Sequence, residues 1–329
     1  MEYKSINSLM KHLRDRHGID IWSKNKSWLT NNGYYHSFKG YRFYNNSKNH
    51  LKITDINQLI AITDFDNSLK DLLYSKVMFI ETAIKNVALC EILDYTNDSS
   101  LKKVEHIALN NYFYARRNGL NDKASLAIQQ KKVNLQQRIY AVIKEKYSAR
   151  NKIICNFVNK QNEDIPIWAI FEVLTLGEFG NFILALKPVL KLDISEKLHI
   201  NKVNNSNGEL LHRYIFFLKD LRNAVAHNGV VYDGRFRSAS IDKSVKKSVE
   251  QDTNISMIDF EYSIDYIIFI VMMLRKLGVS KTEVATFINK YEAIAVRLYN
   301  ILPFSEYTRC IGTQSKKKIQ ELRLFVKNS

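Results

Sequence analysis

Six consecutive residues carry the sharpest chemical possibility in the chain: Arg222-Asn223-Ala224-Val225-Ala226-His227, an arginine and a histidine with four residues between them and an asparagine second. On a helix turning about 100° per residue, Asn223 and His227 form an i, i+4 pair on one face and Arg222 lies about 140° from His227, so all three can border one cleft. An imidazole that titrates near neutrality beside a permanently charged guanidinium suits RNA cleavage without a metal. The arginine would hold the scissile phosphate while the histidine shuttles a proton as the 2′-OH attacks. The spacing alone is weak: in a chain of this composition R-x4-H occurs about 0.4 times by chance, and requiring Asn after the Arg lowers this to about 0.03. The competing reading is a helix C-terminus capped by His227, where backbone carbonyls favour the imidazolium, with Arg222 merely exposed.

Arg222-Asn223-x-x-x-His227 resembles the active-site motif of HEPN-domain ribonucleases. Two further segments are similar to signatures of one branch, the Abi-like phage abortive-infection proteins of the AbiD/AbiF type. One is Gly33-Tyr34-Tyr35-x-x-Phe38-x-Gly40-Tyr41-x-Phe43, and the other is Pro166-x-Trp168-x-x-x-Glu172-x-x-x-x-Gly177. The resemblance implies an all-α HEPN fold, metal-independent endoribonuclease activity with Arg222, Asn223 and His227 in the site, no cofactor, and antiphage growth arrest. It also implies an antitoxin-like partner, which in this family can be a noncoding RNA. Because the chain has one R-x4-H and the family builds one composite site from two motifs, a homodimer is expected. Glu81-x-x-x-Lys85-Asn86 resembles an E-x3-K-[RN] motif of some HEPN members and would support the cleft; an i, i+4 Glu-Lys pair on a solvated face is the other reading. Glu172 either buttresses Arg222 or is simply exposed. The sequence departs from the pattern after His227, where Asn228 and Gly229-Val230-Val231-Tyr232 replace a second His and an Arg-aromatic pair of many relatives. Beyond about residue 240 no family motif can be placed.

The elements that must position these residues read as helices. Ile6, Leu9, Met10 and Leu13 follow helical spacing, with Gly18 as terminator. A long stretch from about Ile56 to Tyr95 is expected to break near Asp64-Phe65-Asp66-Asn67. Asn121 to about Tyr147 reads as an exposed helix with a thin seam of Leu126, Val133, Leu135, Ile139 and Val142. Pro166 opens a helix that Gly177 closes, and a helix from about Glu209 ends at Asn228-Gly229. The polar, Lys/Ser-rich segment 238–254 reads as a linker, followed by helices at about Asp259–Leu277, Ser280–Asn300 and Ser315–Val326. Only Tyr41–Tyr44 and Gly229–Phe236 offer strands. The resulting division is an aromatic N-terminal region (1–50), a HEPN-like helical domain (51–237) with an inserted basic helix (about 112–152), the linker, and a C-terminal helical extension (255–329).

Charge points to a polyanionic partner. The 329 residues carry 49 Lys+Arg against 33 Asp+Glu, a net +16 and a pI near 9.5, which favours nucleic acid. Half of that excess falls between Tyr112 and Lys152, where Arg116, Arg117, Lys131, Lys132, Arg138, Lys144, Lys146 and Arg150 are expected to bind RNA, with Lys316, Lys317 and Lys318 as an auxiliary contact. The abundance of Lys, Asn, Ile and Tyr, residues with A/T-rich codons, is a competing source of the Lys excess. Tyr34, Tyr35, Phe38, Tyr41, Phe43 and Tyr44 form either a base-stacking surface or a packed mini-core, the latter favoured. The longest apolar run, Tyr266–Leu274, is too short for a membrane span of about 20 residues, the amino terminus shows no apolar signal core, and Cys90, Cys155 and Cys310 have no zinc spacing; a cytoplasmic protein is expected. Two functions remain open at this point: a toxin-like ribonuclease, and a non-catalytic RNA-binding or sensing module partnered with a noncoding RNA. A DNA-binding regulator has only the charge behind it.

Overall fold

Short polar side chains set the helix starts. Ser5 accepts from the Ser8 amide and opens α1 (Ile6–His17), which Gly18 closes in the left-handed region at φ 65°. After α2 (Lys26–Asn32) and a single π-helical turn at Tyr35–Lys39 comes α3 (Ile56–Thr96). Ser100, Asn111, Asn121 and Asn151 then cap α4 (Leu101–Ile107), α5 (Tyr112–Arg117), α6 (Asp122–Ser148) and α7 (Lys152–Val158), each accepting a backbone N–H of the first turn. α8 (Ile167–Val173), α9 (Leu176–Ala185), α10 (Pro188–Lys197), α11 (Glu209–Ala226) and α12 (Lys243–Thr253) follow. The chain ends in α13 (Ser263–Lys276), α14 (Lys281–Tyr299), α15 (Phe304–Ile311) and α16 (Ser315–Asn328).

This computed structural model describes residues 4–160, 164–201, 203 and 205–329, so Met1–Tyr3 of the expected N-terminal region lie outside the described residues. Among the described residues the fold is all-α, with no strand. The segments expected as strands are irregular: Phe43 and Asp233 make only isolated bridges, to His50 and Tyr262, and Gly234–Phe236 is a 3-10 turn. No helix among the described residues is long and apolar enough to cross a membrane.

Three further expectations are corrected. α3 runs unbroken through Asp64–Asn67, because Asp66 gives its carboxylate to distant donors and Leu59, Ile62, Phe65, Leu69, Leu73 and Val77 keep one continuous buried stripe. The expected linker 238–254 contains α12, whose buried positions are Val245, Ser248, Val249 and Thr253. Two of these are hydroxyl residues with satisfied bonds, so the stripe is helical in period without reading as apolar: Thr253 Oγ1 donates to the Val249 carbonyl (2.7 Å). Gly177 does not end a helix. α8 stops at Val173, and Thr175 with Glu178 forms a capping box that starts α9 around Gly177.

Two compact units result, with boundaries inside α3, α11 and α12 that differ from the linear division expected. The first comprises the residues up to Met78, Asp220–Ile241 and Val249–Ser329. Its core helix is α13, in which Ser263–Leu274 are all buried. Asp265 on this helix accepts from the Phe260 amide (2.9 Å) and from Lys318 Nζ (2.6 Å), and burial pushes its carboxyl up to about 6 while Lys318 pulls it back. Lys318, expected to touch RNA, is therefore an internal counter-ion; Lys316 and Lys317 stay exposed.

The second unit comprises Phe79–Lys219 and Asp242–Ser248. In α6 the buried seam is Leu135, Ile139, Val142 and Ile143, and Leu126 is exposed. Phe171 of α8 meets Phe179 and Phe182 of α9 edge to face with centroids 5.1 Å apart. Gly180 lets α9 approach α11 closely: a Cβ there would lie 3.1 Å from Ile215 and Phe216 side-chain atoms. Tyr214 and Ser248 share a buried hydroxyl hydrogen bond of 2.8 Å.

His212, also on α11, has a buried Nδ1 with no hydrogen-bond partner, and burial lowers its pKa from 6.5 to about 4, with Lys191, Arg213 and Lys131 adding to the fall against Glu209. The unfolded chain therefore binds more protons than the folded one between about pH 4 and 6.5, and stability rises with pH across that window. Melting curves should show this rise in the parent and a shallower one in His212→Phe, by at most one proton equivalent; parallel profiles would refute the assignment.

Candidate functional site

The R-x4-H sequence spans the C-terminal end of α11, with His227 the first residue beyond it. Leu221, Ala224 and Val225 are buried, which turns Asn223 and His227 to solvent and leaves Arg222 half-buried. The His227 amide still bonds to the Asn223 carbonyl (2.9 Å), and Arg222 Nη1 donates to Asn223 Oδ1 (3.3 Å). The three residues thus share one exposed helix end. Directly after it Asn228 takes the left-handed conformation (φ 56°) and Gly229 N–H returns to the Ala224 carbonyl (2.7 Å). Gly229 sits close to the helix: a Cβ there would stand 3.2 Å from Ala224 Cα and 3.3 Å from its oxygen, so a larger residue would need a shift of a few tenths of an ångström.

The exit from this turn is held by a carboxylate far away in sequence. Asp66, fully buried on α3, accepts the Val231 and Tyr232 amides on Oδ1 (both 2.7 Å), the Tyr41 hydroxyl on Oδ2 (2.7 Å), and Lys70 Nζ at 3.1 Å. Burial raises its pKa, and the Lys70 ammonium, with the Tyr41 and Val231 bonds, opposes that rise. Lys70 also donates to Asn228 Oδ1 (2.5 Å). With its oxygen fixed toward an ammonium that can only donate, Asn228 presents its NH2 to His36 Nε2 at 3.4 Å. A second imidazole, His36, is therefore tied to the residue that follows His227.

The aromatic segment is the other half of this clamp. Tyr34, Phe38 and Tyr41 are buried, as the mini-core reading expects, and Tyr35 alone of the cluster is fully exposed. Tyr41 stacks on Tyr232, whose hydroxyl donates to the Phe43 carbonyl (2.5 Å). Arg235 bonds Asp233 (2.9 Å) and the Gly40 carbonyl (2.6 Å), with its guanidinium 4.3 Å from the Phe43 ring centroid. An arginine-aromatic pairing is thus present in this chain, assembled from two distant segments. Sequence reading missed Asp66, Lys70, His36, Tyr232 and Arg235; the one local signal was Asp66 and Lys70 as an i, i+4 pair.

The expected supporting residues belong to the second unit. Glu81 and Lys85 pair at 3.2 Å, largely buried and not on a solvated face, and Lys85 Nζ donates to the Leu174 carbonyl at the end of α8 (3.0 Å). Asn86 and Glu172 are exposed. Of the basic residues, Arg116, Arg117, Lys131, Lys144 and Arg150 are exposed, while Lys132 and Lys146 are half-buried and burial lowers the Lys132 pKa. Arg138 is exposed but engaged by Glu178 (2.6 Å) and Glu145 (3.1 Å), so its charge is compensated. Among the described residues no cluster of three or more His, Cys, Asp or Glu could hold a metal ion.

Residues 27–233 match the sequence profile of a family described as Abi-like protein. That span exceeds half of the chain and includes the aromatic segment, α3, α11 and its exit loop. No curated protein and no solved structure matches the chain.

Asp66→Ala would leave Lys70 buried without its counter-ion and two amides without an acceptor. A loss of about 3–5 kcal/mol of unfolding free energy is expected, together with faster hydrogen exchange at the Val231 and Tyr232 amides. A loss below about 1 kcal/mol with unchanged exchange would show that the carboxylate does not anchor the loop.

Proposed function

The chain belongs to the Abi-like protein family, whose name denotes abortive infection, a form of phage defence, and on that premise we propose that it is a HEPN-type, metal-independent endoribonuclease. The observation that carries the proposal is the gathering of exposed Asn223 and His227 with half-buried Arg222 on one anchored helix end, the only part of the family-matched span with this chemistry at this spacing. The 2′-oxygen of RNA attacks phosphorus and the P–O5′ bond breaks, leaving a cyclic phosphate and a 5′-hydroxyl. One proton must leave the 2′-OH and one must reach the departing 5′-oxygen. His227 moves a proton, and Arg222 holds the charge that builds on the phosphoryl oxygens. Asn223 orients Arg222 through their hydrogen bond.

The His227 side chain has no hydrogen-bond partner among the described residues, although catalysis asks for an oriented imidazole. That favours completion of the site by a second copy, with the two helix ends facing each other across a two-fold axis, or by a noncoding RNA acting as antitoxin. It is also what a non-catalytic RNA-sensing module would show, and the two readings separate on cleavage. Exposed cations of α5 and α6 (Arg116, Arg117, Lys131, Lys144) add attraction for RNA at long range.

Purified protein is expected to cleave total RNA equally with and without EDTA. His227→Ala and Arg222→Ala should each lose about 10²-fold or more, and Asn223→Ala less. Growth arrest by His227→Ala as strong as by the parent would sink the catalytic reading. Sedimentation at assay concentration should find a dimer; a fully active monomer would mean that one motif suffices.

A further inference from the structure

In the first unit a groove of about 890 Å3 runs between α3 and α14. Its lining includes Lys70, which bonds Asn228, and Val225, two residues before His227, so the groove adjoins the candidate site through residues they share. Apolar Leu72, Phe287 and Ile294 line it from both helices, and Ser68, Ser75, Thr286 and Ala293 leave room above them.

The charges in its walls are unequally spent. Lys70 is taken by Asp66 and Lys76 by Glu283, and Asp71 adds one exposed carboxylate to the α3 wall. Lys290 is exposed with no ion-pair or hydrogen-bond partner among the described residues, and exposed Arg297 acts only electrostatically, on Asp64. These two cations are seven residues apart on one face of α14, about 10 Å along the helix axis. That is close to a Debye length at moderate salt, so their fields overlap. Tyr74, 52% exposed, stands on the facing wall.

We propose that this groove seats the single-stranded RNA that enters the Arg222/His227 site, with backbone phosphates against Lys290 and Arg297 and a base stacked on Tyr74. The assignment rests on the ribonuclease reading for what happens at His227, but the binding chemistry is its own. A single strand offers phosphates and free base faces together, which is what two cations opposite an exposed tyrosine can use. A duplex keeps its bases stacked inside, and an acidic peptide would engage the cations while leaving the tyrosine idle. α14 lies beyond the span that matches the family, so this contact belongs to the C-terminal part of the chain.

The test uses the full-length chain carrying His227→Ala, which removes cleavage, and a fluorescein-labelled single-stranded RNA of about 12 nucleotides read by anisotropy across a salt series. Adding Lys290→Glu with Arg297→Glu should weaken binding about 10-fold or more and lower the log-log salt slope by at least about 1.4, from two contacts at roughly 0.7 each. Tyr74→Ala should cost about 5-fold or more, and a duplex of equal length should be affected less by either change. Lys290→Arg with Arg297→Lys should bind like the parent. All these positions are exposed, so melting temperatures should hold, and Tyr74→Ala tests the groove independently of charge. Unchanged single-strand affinity and slope, or an equal loss for duplex, overturns the groove. If charge reversal abolishes binding while the parent with His227 intact cleaves nothing, the groove stands and the ribonuclease reading falls. If reversal in the His227 background leaves cleavage at limiting RNA undiminished, the chemistry stands and the groove falls.

Discussion

A single buried carboxylate organises the surroundings of the candidate site. An ionised side chain removed from water is tolerated only when its lone pairs are filled and its charge is matched. Asp66 meets that condition with donors from three stretches of chain: Tyr41, Lys70 on its own helix, and the Val231 and Tyr232 amides. No local structure could supply that set. The amides it holds lie 165 and 166 residues away, so the path the chain takes after His227 is dictated from α3. The Gly33–Phe43 signature and the R-N-x3-H signature, separate in sequence, are therefore parts of one hydrogen-bonded assembly in which Tyr41, Asp66, Lys70 and Asn228 are successive links.

How much was legible depended on how local the cause was. α1, α6, α13 and α14 were read from hydrophobic period and caps, because those forces act within a few residues. α12 was missed because Ser248 and Thr253 occupy core-facing positions as satisfied hydroxyls, and a polarity count sees only a hydrophilic stretch. The break expected near Asp64–Asn67 followed from the length of the stretch; the helix runs on because Asp66 competes for no local amide once distant ones occupy it. The two units could not be read from composition, since α3 and α11 each supply both of them.

At the site the same distinction holds. Arg222, Asn223 and His227 lie within one and a half turns, so spacing alone brings them together. His36 reaches Asn228 across 192 residues and Arg235 reaches Gly40 across 195, and nothing in either segment announces its partner. The aromatic segment was read as a mini-core on density alone, which its buried Tyr34, Phe38 and Tyr41 support; what density could not convey is that this core is clamped to the exit of α11.

Net charge has to be divided in the same way before it says anything about a polyanion. Of the cations that raise the total to +16, Lys318 and Lys70 neutralise buried carboxylates, and Arg138 bridges two glutamates on the surface. Such charges contribute to pI but little to the field a phosphate feels, because each carries its counter-ion within contact distance. Density along the sequence is thus a poor guide: the run Lys316–Lys318 loses one member to the core, whereas Lys290 and Arg297, unremarkable in sequence, are exposed on one helical face beside an aromatic ring. Counterion release depends on how many phosphates are neutralised, so the number that matters is the count of exposed cations not already spent on a carboxylate, and that count is fixed by packing partners that local sequence does not name.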